Sequence, residues 1–537
     1  MLSSPLLTAL LLFFGTLTVY GATRTAANTF DAVSYANQIA HLYPRSGDPR
    51  WLFHPHHLLF NALGYGLWRA AQVFGYSGGS LVVLQSQNAV LGALGVSVYY
   101  LTLRRLLQRS HGLPLLTALG LAGSFGWWIC ASDGRVNMPS VFLLLAAFSV
   151  LTRLMATPRL PLAALTGGLA GGAVLFHEST GLFVVVGLAG VLLASADRAT
   201  RLKLTAAYLG VWGLTAALPY LVVGVFVLHL HSLAAFHAWS SAYTELGWWW
   251  DFHIFRNLTL DFYALRHAGF VEPGSRASTF TLGGHLPLFA LGLYCLSVLG
   301  WLAAAFAVFT TLPQLWRSHN RALVVVLAVW IAAYTAFFTV WSPGYFVFWV
   351  PVLIPTSLLL ALTLAHYRAR RGGRIANWLL GAWIAGYAAL NLTISIEPHL
   401  APSSDPFRRI AADVRAHTSF GDVVVVAGAG DGGPCEVALP YFADRDVISL
   451  HGLLTKKRDD KLAALSLVRS EIDRTLASGH AVYALDDVVP SHNARALAAL
   501  SAKHGLTAND LTTLLSPYTR TLAWQSGRGP VWRLVRR

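Results

Sequence analysis

Long runs of apolar residues alternate with short polar segments through residue 396. A run of roughly 20 apolar residues can cross the hydrocarbon layer of a membrane as a helix. The pattern predicts about eleven such helices, at 4–22, 81–103, 113–131, 139–156, 161–178, 180–195, 205–230, 285–311, 322–341, 345–366 and 375–395. The chain is therefore predicted to be a polytopic α-helical membrane protein. The short breaks near 157–160 and 178–180 leave a re-entrant segment as an alternative.

The charged residues of this region divide into two sets of loops. Arginines occupy one set: Arg104, Arg105, Arg109, Arg159, Arg198, Arg201, Arg317, Arg321 and the stretch 368–374. The excess of basic residues marks this side as cytoplasmic. The carboxylates of this region are Asp31, Asp48, Asp133, Glu178, Asp197, Glu245, Asp251, Asp261 and Glu272. All but Asp197 fall on the other side, so we expect a functional site there, with the N-terminus cytoplasmic and the C-terminal region extracytoplasmic.

Composition agrees with a membrane protein and argues against a nucleic-acid-binding or disulfide-stabilised protein. The 537 residues are 55% hydrophobic and 12% charged, with a net charge of +15. Because the basic residues punctuate apolar runs, they predict membrane topology and argue against nucleic-acid binding. The cysteines Cys130, Cys295 and Cys435 have neither metal-ligand spacing nor a disulfide framework. The first apolar run lacks a basic flank and a clear cleavage site, which favours a retained helix over a signal peptide.

The pattern changes near residue 400. Apolar stretches at 421–430, 446–450 and 481–485 predict strands, and the segments between them, 406–417, 458–478 and 493–505, predict helices. We therefore divide the chain into a transmembrane module, 1–398, with large outer loops at 23–80 and 231–284, and an extracytoplasmic α/β domain, 399–537. The turn 428–433 reads G-x-G-x-G-G. A tight turn is the favoured interpretation, and dinucleotide binding is the alternative.

The first outer loop carries an unusual pattern. Residues 31–40 predict a short amphipathic helix on the membrane surface, with Asp31 in its first turn, where a carboxylate can simply cap the helix. His54, His56 and His57 follow beside Pro55, before a second amphipathic segment at 61–72. Histidines in this position can bind phosphate, bind metal, share a proton with an acid, or merely prefer the interface. Their spacing does not match helical metal ligands, so no metal site is predicted.

These residues resemble the first loop of the GT-C superfamily of membrane glycosyltransferases, in particular the branch with protein O-mannosyltransferases and aminoarabinose transferases. Asp31, Tyr35 and Ala36 match the family's Asp followed by Tyr-Ala. The segment 54–58 stands where the family has Lys-Pro-Pro-Leu, with His54 in place of lysine. Further along, the segment 341–345 resembles the family's late Pro-Tyr motif and includes Tyr345.

The resemblance implies a fold and a reaction. Such enzymes have a GT-C type membrane fold and often an extracytoplasmic C-terminal domain. They transfer a sugar, usually with inversion, from a polyprenyl-phosphate carrier to an acceptor outside the cytoplasm. We expect an inner-membrane protein of a bacterial cell envelope, whose partners are the carrier, membrane lipid and a glycan, lipid or protein acceptor. The superfamily includes metal-dependent and metal-independent members, so a divalent cation is possible and no cofactor is certain.

The resemblance also implies roles for individual residues. Asp31 would be the general base on the acceptor hydroxyl. The leaving phosphate would meet cationic or hydrogen-bond-donating groups; the candidates are His54, His56, His57, Arg135 and His177. Histidine in place of lysine would make phosphate binding sensitive to pH if the imidazole must be charged. Many members carry a second acid directly before Met-Pro. Here Asn137 holds that position, and Asp133 is the candidate substitute, with a polar turn as the alternative.

Two other outer segments complete the candidate site. His177 and Glu178 interrupt an apolar run, where ionisable residues tend to line cavities, although a water-exposed turn is the alternative. Loop 231–284 mixes aromatic and polar residues: His237, Trp239, Tyr243, Glu245, Trp248, Trp249, Trp250, Asp251, His253 and Arg256. Such residues suit sugar stacking or an interfacial aromatic belt, and the belt is favoured for Trp248–Trp250.

Two other functional classes remain open. A transporter or flippase of a lipid-linked saccharide would show inverted repeats and helices broken at mid-membrane depth, and the sequence shows no such paired breaks. A scaffold whose outer domain binds a partner would tolerate replacement of Asp31. An enzyme would cleave the carrier lipid, whereas a transporter or a scaffold would leave it intact.

Overall fold

The computed structural model describes residues 4–108, 112–195, 197–241, 249–271, 288–371, 374–430, 433–457, 460–489 and 494–537. They form two compact units. One, the membrane unit, comprises Met1–Thr25 and Asp48–Leu400; the other, the C-terminal unit, comprises Ala26–Gly47 and Ala401–Arg537. The predicted residues Arg109, Tyr243, Glu245, Trp248 and Glu272 lie outside the described residues.

The described residues contain helices α1–α23 and strands β1–β5. The helices of the first 400 residues are α1 (Pro5–Ala22), α2 (Phe30–Asn37), α3 (Tyr43–Ser46), α4 (Phe60–Val73), α5 (Ser80–Leu106), α6 (Gly112–Gly123), α7 (Phe125–Ser132), α8 (Asn137–Ala156), α9 (Leu160–Val174), α10 (Phe183–Leu193), α11 (Arg198–Val222), α12 (Leu233–Ser241), α13 (Ile254–Gly269), α14 (Leu288–Trp316), α15 (Arg321–Phe338), α16 (Val350–Arg371) and α17 (Arg374–Asn391). The later elements are α18 (Pro406–His417), β1 (Val423–Val426), α19 (Cys435–Ala438), β2 (Asp446–Ser449), α20 (Leu450–Lys456), α21 (Lys461–Ala477), β3 (Val482–Leu485), α22 (Ala494–His504), α23 (Ala508–Leu515), β4 (Tyr518–Ser526) and β5 (Gly529–Arg536).

The helices of the membrane unit confirm a multi-pass membrane protein. Among the described residues, eight helical segments are long and apolar enough to cross a membrane, and α6 with α7 adds a ninth if the pair counts as one span. The predicted helix at 113–131 is thus two helices bent by 61°. The segments predicted at 161–178 and 180–195 are shorter apolar helices, Leu160–Val174 and Glu178–Leu193. The orientation of the chain in the membrane stays a prediction.

The bend between α6 and α7 depends on a buried asparagine. A break in a helix frees backbone groups that water cannot satisfy at membrane depth. The Asn391 side chain is fully buried and donates to the carbonyl oxygens of Gly123, at 2.9 Å, and Gly269, at 3.2 Å. Its side-chain oxygen accepts from the backbone N–H of Val271 at 2.9 Å. One amide therefore joins the break to the end of α13, and fixes the direction of α7.

Helices α9 and α11 approach closely because glycines face the contact. Gly167 and Gly171 form a G-x-x-x-G pattern on α9. A Cβ atom on Gly167 would overlap the carbonyl oxygen of Tyr208, and one on Gly171 would lie 2.7 Å from that of Trp212. Small residues allow this backbone approach in membranes, where packing stabilises helix pairs.

The C-terminal unit is built on one five-stranded sheet with the order β2-β1-β3-β5-β4. Strand β1 pairs in parallel with β2 and β3, while β5 is antiparallel to β3 and β4. All four valines of β1 are buried, as expected for a parallel strand covered on both faces. The three predicted strands are confirmed as β1–β3, and the predicted helices correspond to α18, α21 and α22. The hairpin of β4 and β5 was not predicted.

The predicted helices of the first outer loop are confirmed, but the loop is divided between the two units. Residues 31–40 lie on α2 and the π-helical turn that follows it, and residues 61–72 lie on α4. Residues 26–47 belong to the C-terminal unit, whereas the sequence-based division placed all of 23–80 with the membrane module. In α2, Ala32 and Ala36 are fully buried, and the Arg408 guanidinium donates to the Asn28 side-chain oxygen at 2.7 Å. Tertiary packing therefore decides which unit carries α2.

Candidate functional site

The three predicted loop histidines form a tight turn around Pro55. The His57 backbone N–H donates to the His54 carbonyl at 3.1 Å, and the two rings stack with their centroids 4.6 Å apart. The His56 backbone N–H donates to His54 Nδ1 at 3.3 Å, which leaves Nε2 to carry the proton of a neutral His54 ring. The Tyr220 hydroxyl donates to the Pro55 carbonyl at 2.6 Å and holds the turn against α11.

A second segment, 175–178, pairs with this turn. The Glu178 N–H donates to the His56 carbonyl at 3.0 Å, and the Leu59 N–H donates to the Leu175 carbonyl at 2.9 Å. The His56 ring and the Glu178 carboxylate are in direct contact. The polar interruption at 177–178 and the histidine motif, more than 100 residues apart in sequence, therefore form one cluster, which we call the histidine cluster: His54, His56, His57, His177 and Glu178.

Burial determines the charge of this cluster. Burial lowers the pKa of His54 to about 3 and that of His177 to about 4. The pKa of His57 is also far below its usual value, because of burial and then of the neighbouring His54 ring. These three imidazoles are therefore neutral near pH 7. They can offer neutral hydrogen bonds but cannot supply the positive charge of the family's lysine.

A buried ion pair lies between α7 and α8. The Asp133 and Arg135 side chains join through a 2.9 Å bond from Nε to Oδ2, and the residues are 1% and 8% exposed. The other Asp133 oxygen accepts the Gly134 N–H at 2.8 Å. The fully buried Asn88 donates to the carbonyls of Asp133, at 2.8 Å, and Arg135, at 2.6 Å. Arg135 Nη1 is buried and has no hydrogen-bond partner among the described residues. The Arg135 guanidinium is thus held in place by Asp133, and its Nη1 group is available to donate a hydrogen bond.

The aromatic segment Tyr345–Phe348 links the ion pair to the histidine cluster. The Arg135 guanidinium lies 5.9 Å from the Phe346 ring centroid. The Phe348 centroid lies 5.7 Å from that of His177 and 5.1 Å from that of Tyr345. Tyr345 itself is 40% exposed. The membrane unit therefore brings the histidine cluster, the Asp133–Arg135 pair and Tyr345 to one region.

A buried acid that was not assigned to the site shapes this aromatic segment. Asp261 on α13 is 2% exposed and accepts from the Thr339 hydroxyl at 2.8 Å and the Gly344 N–H at 3.3 Å. Ser342 and Gly344 both have positive φ, +52° and +79°, so the chain turns sharply between α15 and the aromatic segment. The hydrogen bonds of Asp261 hold this turn in place. Asp261 and Asn88 are positioning residues to which sequence reasoning gave no role. Each lies on a buried helix face that also carries other polar residues, Asn257 near Asp261 and Gln85 near Asn88.

The other predicted residues are placed less centrally. Asn137 is the first residue of α8 and is half-buried. Asp31 is exposed in the first turn of α2, where the Thr29 side chain is the N-cap, and Tyr35 is half-buried on the same helix; both belong to the C-terminal unit. Trp249 and Trp250 are each 41% exposed, and Asp251 contacts His253 and Arg256. Within the described residues, no group of three or more His, Cys, Asp or Glu side chains could hold a metal ion.

No protein-family model and no curated protein matches this sequence. Solved structures do match, and two crystal structures are among them. One is ArnT from Cupriavidus metallidurans bound to undecaprenyl phosphate, with 12% identity, a TM-score of 0.60, and coverage of 98% of this chain and 97% of that one. The other is the same protein in the apo state, with 14% identity, a TM-score of 0.59 and the same coverage. At such identities the likeness concerns the fold. The predicted GT-C fold, with many membrane helices and a C-terminal α/β unit, is confirmed.

Proposed function

We propose that this chain, which has the GT-C fold, is a membrane glycosyltransferase. It would move a sugar from a polyprenyl-phosphate carrier to an acceptor on the extracytoplasmic side of the membrane. The observation that carries the proposal is the Arg135 guanidinium, buried 5.9 Å from the Phe346 ring centroid, with Nη1 available. A fixed cation with an available donor suits a leaving phosphate, because a charged hydrogen bond in a dry site is strong.

In this proposal the predicted residues take distinct roles. Arg135 binds the phosphate oxygens, and His54, His57 and His177 donate or accept neutral hydrogen bonds around them. Asp133 acts through Arg135, because its two oxygens already bind Arg135 and Gly134. Tyr345, the exposed first residue of the aromatic segment, offers a hydroxyl to the donor sugar or phosphate. Asn137, His56 and Glu178 remain proposed substrate contacts.

An apolar cavity in the membrane unit suits the tail of the carrier. It has a volume of about 420 Å³ and is lined almost entirely by apolar side chains, including Phe270, Trp301 and Leu353. Ser124 also lines it, and the next residue, Phe125, packs on Phe346 with centroids 5.3 Å apart. One lining residue is therefore next in sequence to a residue that packs on the aromatic segment, and we propose that the isoprenoid tail occupies this cavity. The matched ArnT structure holds undecaprenyl phosphate, which supports this class of carrier.

The proposed reaction is a single displacement. The acceptor hydroxyl oxygen attacks the anomeric carbon, the bond from that carbon to the phosphate oxygen breaks, and polyprenyl phosphate leaves with the electron pair. Asp31 is the proposed base that takes the hydroxyl proton, a role that rests on the family resemblance. Attack opposite the leaving group gives inversion at the anomeric carbon. No step requires a metal ion, and a divalent cation is tested as an addition.

The test is release of free polyprenyl phosphate. Purified protein is incubated with a panel of polyprenyl-phosphate sugars and a membrane extract as acceptor source, with and without chelator. We expect release with at least one donor, a loss of about 100-fold or more in Asp31→Asn, and an inverted product by NMR. Loss of release with chelator would assign a divalent cation.

Asp197→Asn is the matched control. Asp197 is an exposed acid that caps α11, with its carboxylate 2.7 Å from the Thr200 N–H, and asparagine can replace it as a cap. This variant should release polyprenyl phosphate at the wild-type rate. No release from any donor by the folded wild type would overturn the proposal. Release that persists in Asp31→Asn would leave the transfer reaction standing and remove Asp31 as its base.

A further inference from the structure

Helices α5 and α8 lie side by side and run in the same direction. The Thr102 hydroxyl on α5 donates to the Ser149 hydroxyl on α8 at 2.8 Å. Towards the start of both helices, Asn88 donates to the Arg135 carbonyl at 2.6 Å. Gln87 is the residue before Asn88 on α5. It therefore lies at the level of the buried ion pair that the proposed site uses.

The side chain of Gln87 is buried and unpaired. The residue is 9% exposed, and neither the amide nitrogen Nε2 nor the amide oxygen Oε1 has a hydrogen-bond partner among the described residues. A buried donor or acceptor without a partner destabilises the folded protein. Buried polar groups are for this reason nearly always paired. The amide of Gln87 therefore indicates a partner that comes from outside the chain.

Gln85, on the same helix, shows how a glutamine that serves the fold is placed. It is 4% exposed, and its Nε2 donates to the Thr25 carbonyl at 2.8 Å. This bond ties α5 to the segment that follows α1. Gln87 makes no such bond within the described part of the chain, so the packing of α5 gives no reason for an amide at this position.

Two further buried atoms in this part of the membrane unit also lack partners. Asn88 uses its Nδ2 for the carbonyls of Asp133 and Arg135, but its Oδ1 accepts no hydrogen bond from the residues that the structure describes. Arg135 Nη1 is unpaired in the same sense. Gln87 and Asn88 thus offer two acceptor oxygens, and Gln87 and Arg135 offer donors.

This mixture of donors and acceptors narrows the class of ligand. A leaving phosphate only accepts hydrogen bonds, so it can pair with Arg135 but not with the two amide oxygens. An ammonium group only donates, and the Arg135 charge would repel it. A hydroxyl group both donates and accepts. A neutral sugar linked to the phosphate that Arg135 binds would carry several hydroxyl groups next to it.

We propose that Gln87 is a specificity-determining residue that recognises hydroxyl groups of the donor sugar. Its Oε1 accepts from one sugar hydroxyl and its Nε2 donates to a neighbouring sugar oxygen, while Asn88 Oδ1 accepts from a further hydroxyl. The inference rests on the proposed function, and it adds how the site distinguishes one polyprenyl-phosphate sugar from another. An amide that lowers stability and improves binding is the trade-off expected of a binding site.

The first measurement joins stability to binding. Gln87→Leu replaces the unpaired amide by an apolar side chain, so the melting temperature without substrate should rise by about 2 °C. Release of polyprenyl phosphate from the preferred donor should show a KM raised about 10-fold, because hydrogen bonds to the sugar are lost. The value of kcat should change less than about threefold, since these bonds form equally in the bound substrate and the transition state.

Donors that each lack one sugar hydroxyl identify the contact. The wild type should use at least one of these deoxy donors with a kcat/KM about 10-fold below that of the complete donor. Gln87→Leu should show no further loss with that donor, because the bond is already absent in the variant. A residue that only supported the fold would lower kcat/KM by the same factor for every donor.

Gln85→Leu is the matched control. It leaves the Thr25 carbonyl without its donor, so the melting temperature should fall while the wild-type order of donors is kept. If Gln87→Leu does not fold, the unbranched Gln87→Met is the second variant. Wild-type discrimination among the deoxy donors by a folded Gln87 variant would mean that the amide binds water only, and would overturn this inference alone. No release from any donor by the folded wild type would overturn the proposed function and this inference with it.

Discussion

The site in the membrane unit and the interior of the C-terminal unit bury ionisable groups of opposite kinds. In the membrane unit, burial lowers the pKa of His54 and His177 to about 3 and 4. In the C-terminal unit, burial raises the pKa of Asp487 and of Glu436 to about 7. Both shifts favour the neutral form, because moving a charge out of water is costly. The buried charge that persists in the membrane site is the one with a partner, Arg135 beside Asp133.

Removal of the Arg135 charge should have the largest effect on activity and stability. In Arg135→Gln, release of polyprenyl phosphate should fall by about 100-fold or more, as expected when a preorganised electrostatic contact is removed. The same change leaves Asp133 buried without its partner, which costs roughly 3–5 kcal/mol of stability. The assay for polyprenyl phosphate and a thermal unfolding curve measure the two effects.

The double variant Asp133→Asn with Arg135→Gln separates catalysis from folding. It removes both charges, so stability should recover relative to Arg135→Gln, while release should stay low. Recovery of activity together with stability would show that the guanidinium only supports the fold. Arg135 would then have no role in binding the leaving phosphate.

The C-terminal unit should lose stability as the pH rises. The folded-state pKa of Asp487, about 7, lies above its ordinary value of 3.8. Folded and unfolded chains are both protonated below pH 3.8, and the unfolded chain ionises first as the pH rises. Stability should therefore fall by about 1.4 kcal/mol per pH unit, or about 4 kcal/mol in all, up to pH 7. Asp487→Asn should remove this contribution and leave that of Glu436, so the slope in thermal unfolding between pH 4.5 and 7.5 should fall by about half. An unchanged slope would show that Asp487 is ionised throughout.

The histidine cluster should respond in the opposite direction. The folded-state pKa of His177, about 4, lies below its ordinary value of 6.5, so this contribution to stability is complete above pH 6.5. As the pH falls from 6.5 to 4 the unfolded chain takes up the proton first, and about 3 kcal/mol of stability is lost. His177→Asn should weaken the loss in acid unfolding curves. A wild type equally stable at pH 5 and pH 7.5 would contradict the neutral cluster.

Local pattern was sufficient to predict most of the fold. Apolar runs indicated the membrane helices, and three buried strands were recognised because parallel strands are apolar throughout. The hairpin of β4 and β5 was missed because β4 is mostly exposed and carries polar residues such as Thr519 and Arg520. The bend at Ser124 was missed because the sequence stays apolar across it. The carbonyls at the break are satisfied by side chains distant in sequence, Tyr20, Tyr387 and Asn391.

The sequence named candidate residues for the site but did not indicate their charge state, and their roles stay a prediction. His56 and Glu178 were each recognised from polarity in an apolar context, and their contact followed from the fold. The neutrality of the imidazoles could not be predicted, since burial depends on tertiary packing. For the same reason the sequence placed α2, with Asp31, in the membrane module, whereas its alanines pack into the C-terminal unit.

Replacement of Asn88 should lower the stability of the protein moderately, because its side chain binds the backbone carbonyls of both Asp133 and Arg135. Asn88→Leu removes hydrogen bonds to two buried carbonyls and should cost roughly 2–4 kcal/mol. Ser86→Ala on the same helix removes only an exposed hydroxyl and should be near neutral. Thermal unfolding compares the two. Equal stability of both variants would show that the link is held by the salt bridge alone.

The smallest effect should come from the exposed contact that joins the first loop to the C-terminal unit. Arg45 lies 2.5 Å from Asp444 and 3.6 Å from Asp446, but Arg45 and Asp444 are both 44% exposed. Water screens such a pair, so Arg45→Ala should cost less than roughly 1 kcal/mol. Ala36→Leu, by contrast, inserts atoms where the side chain is fully buried and should cost about 1–3 kcal/mol. Hydrogen exchange of residues 30–46 would rank the two. Faster exchange in Arg45→Ala than in Ala36→Leu would show that charge, and not packing, attaches α2 to its unit.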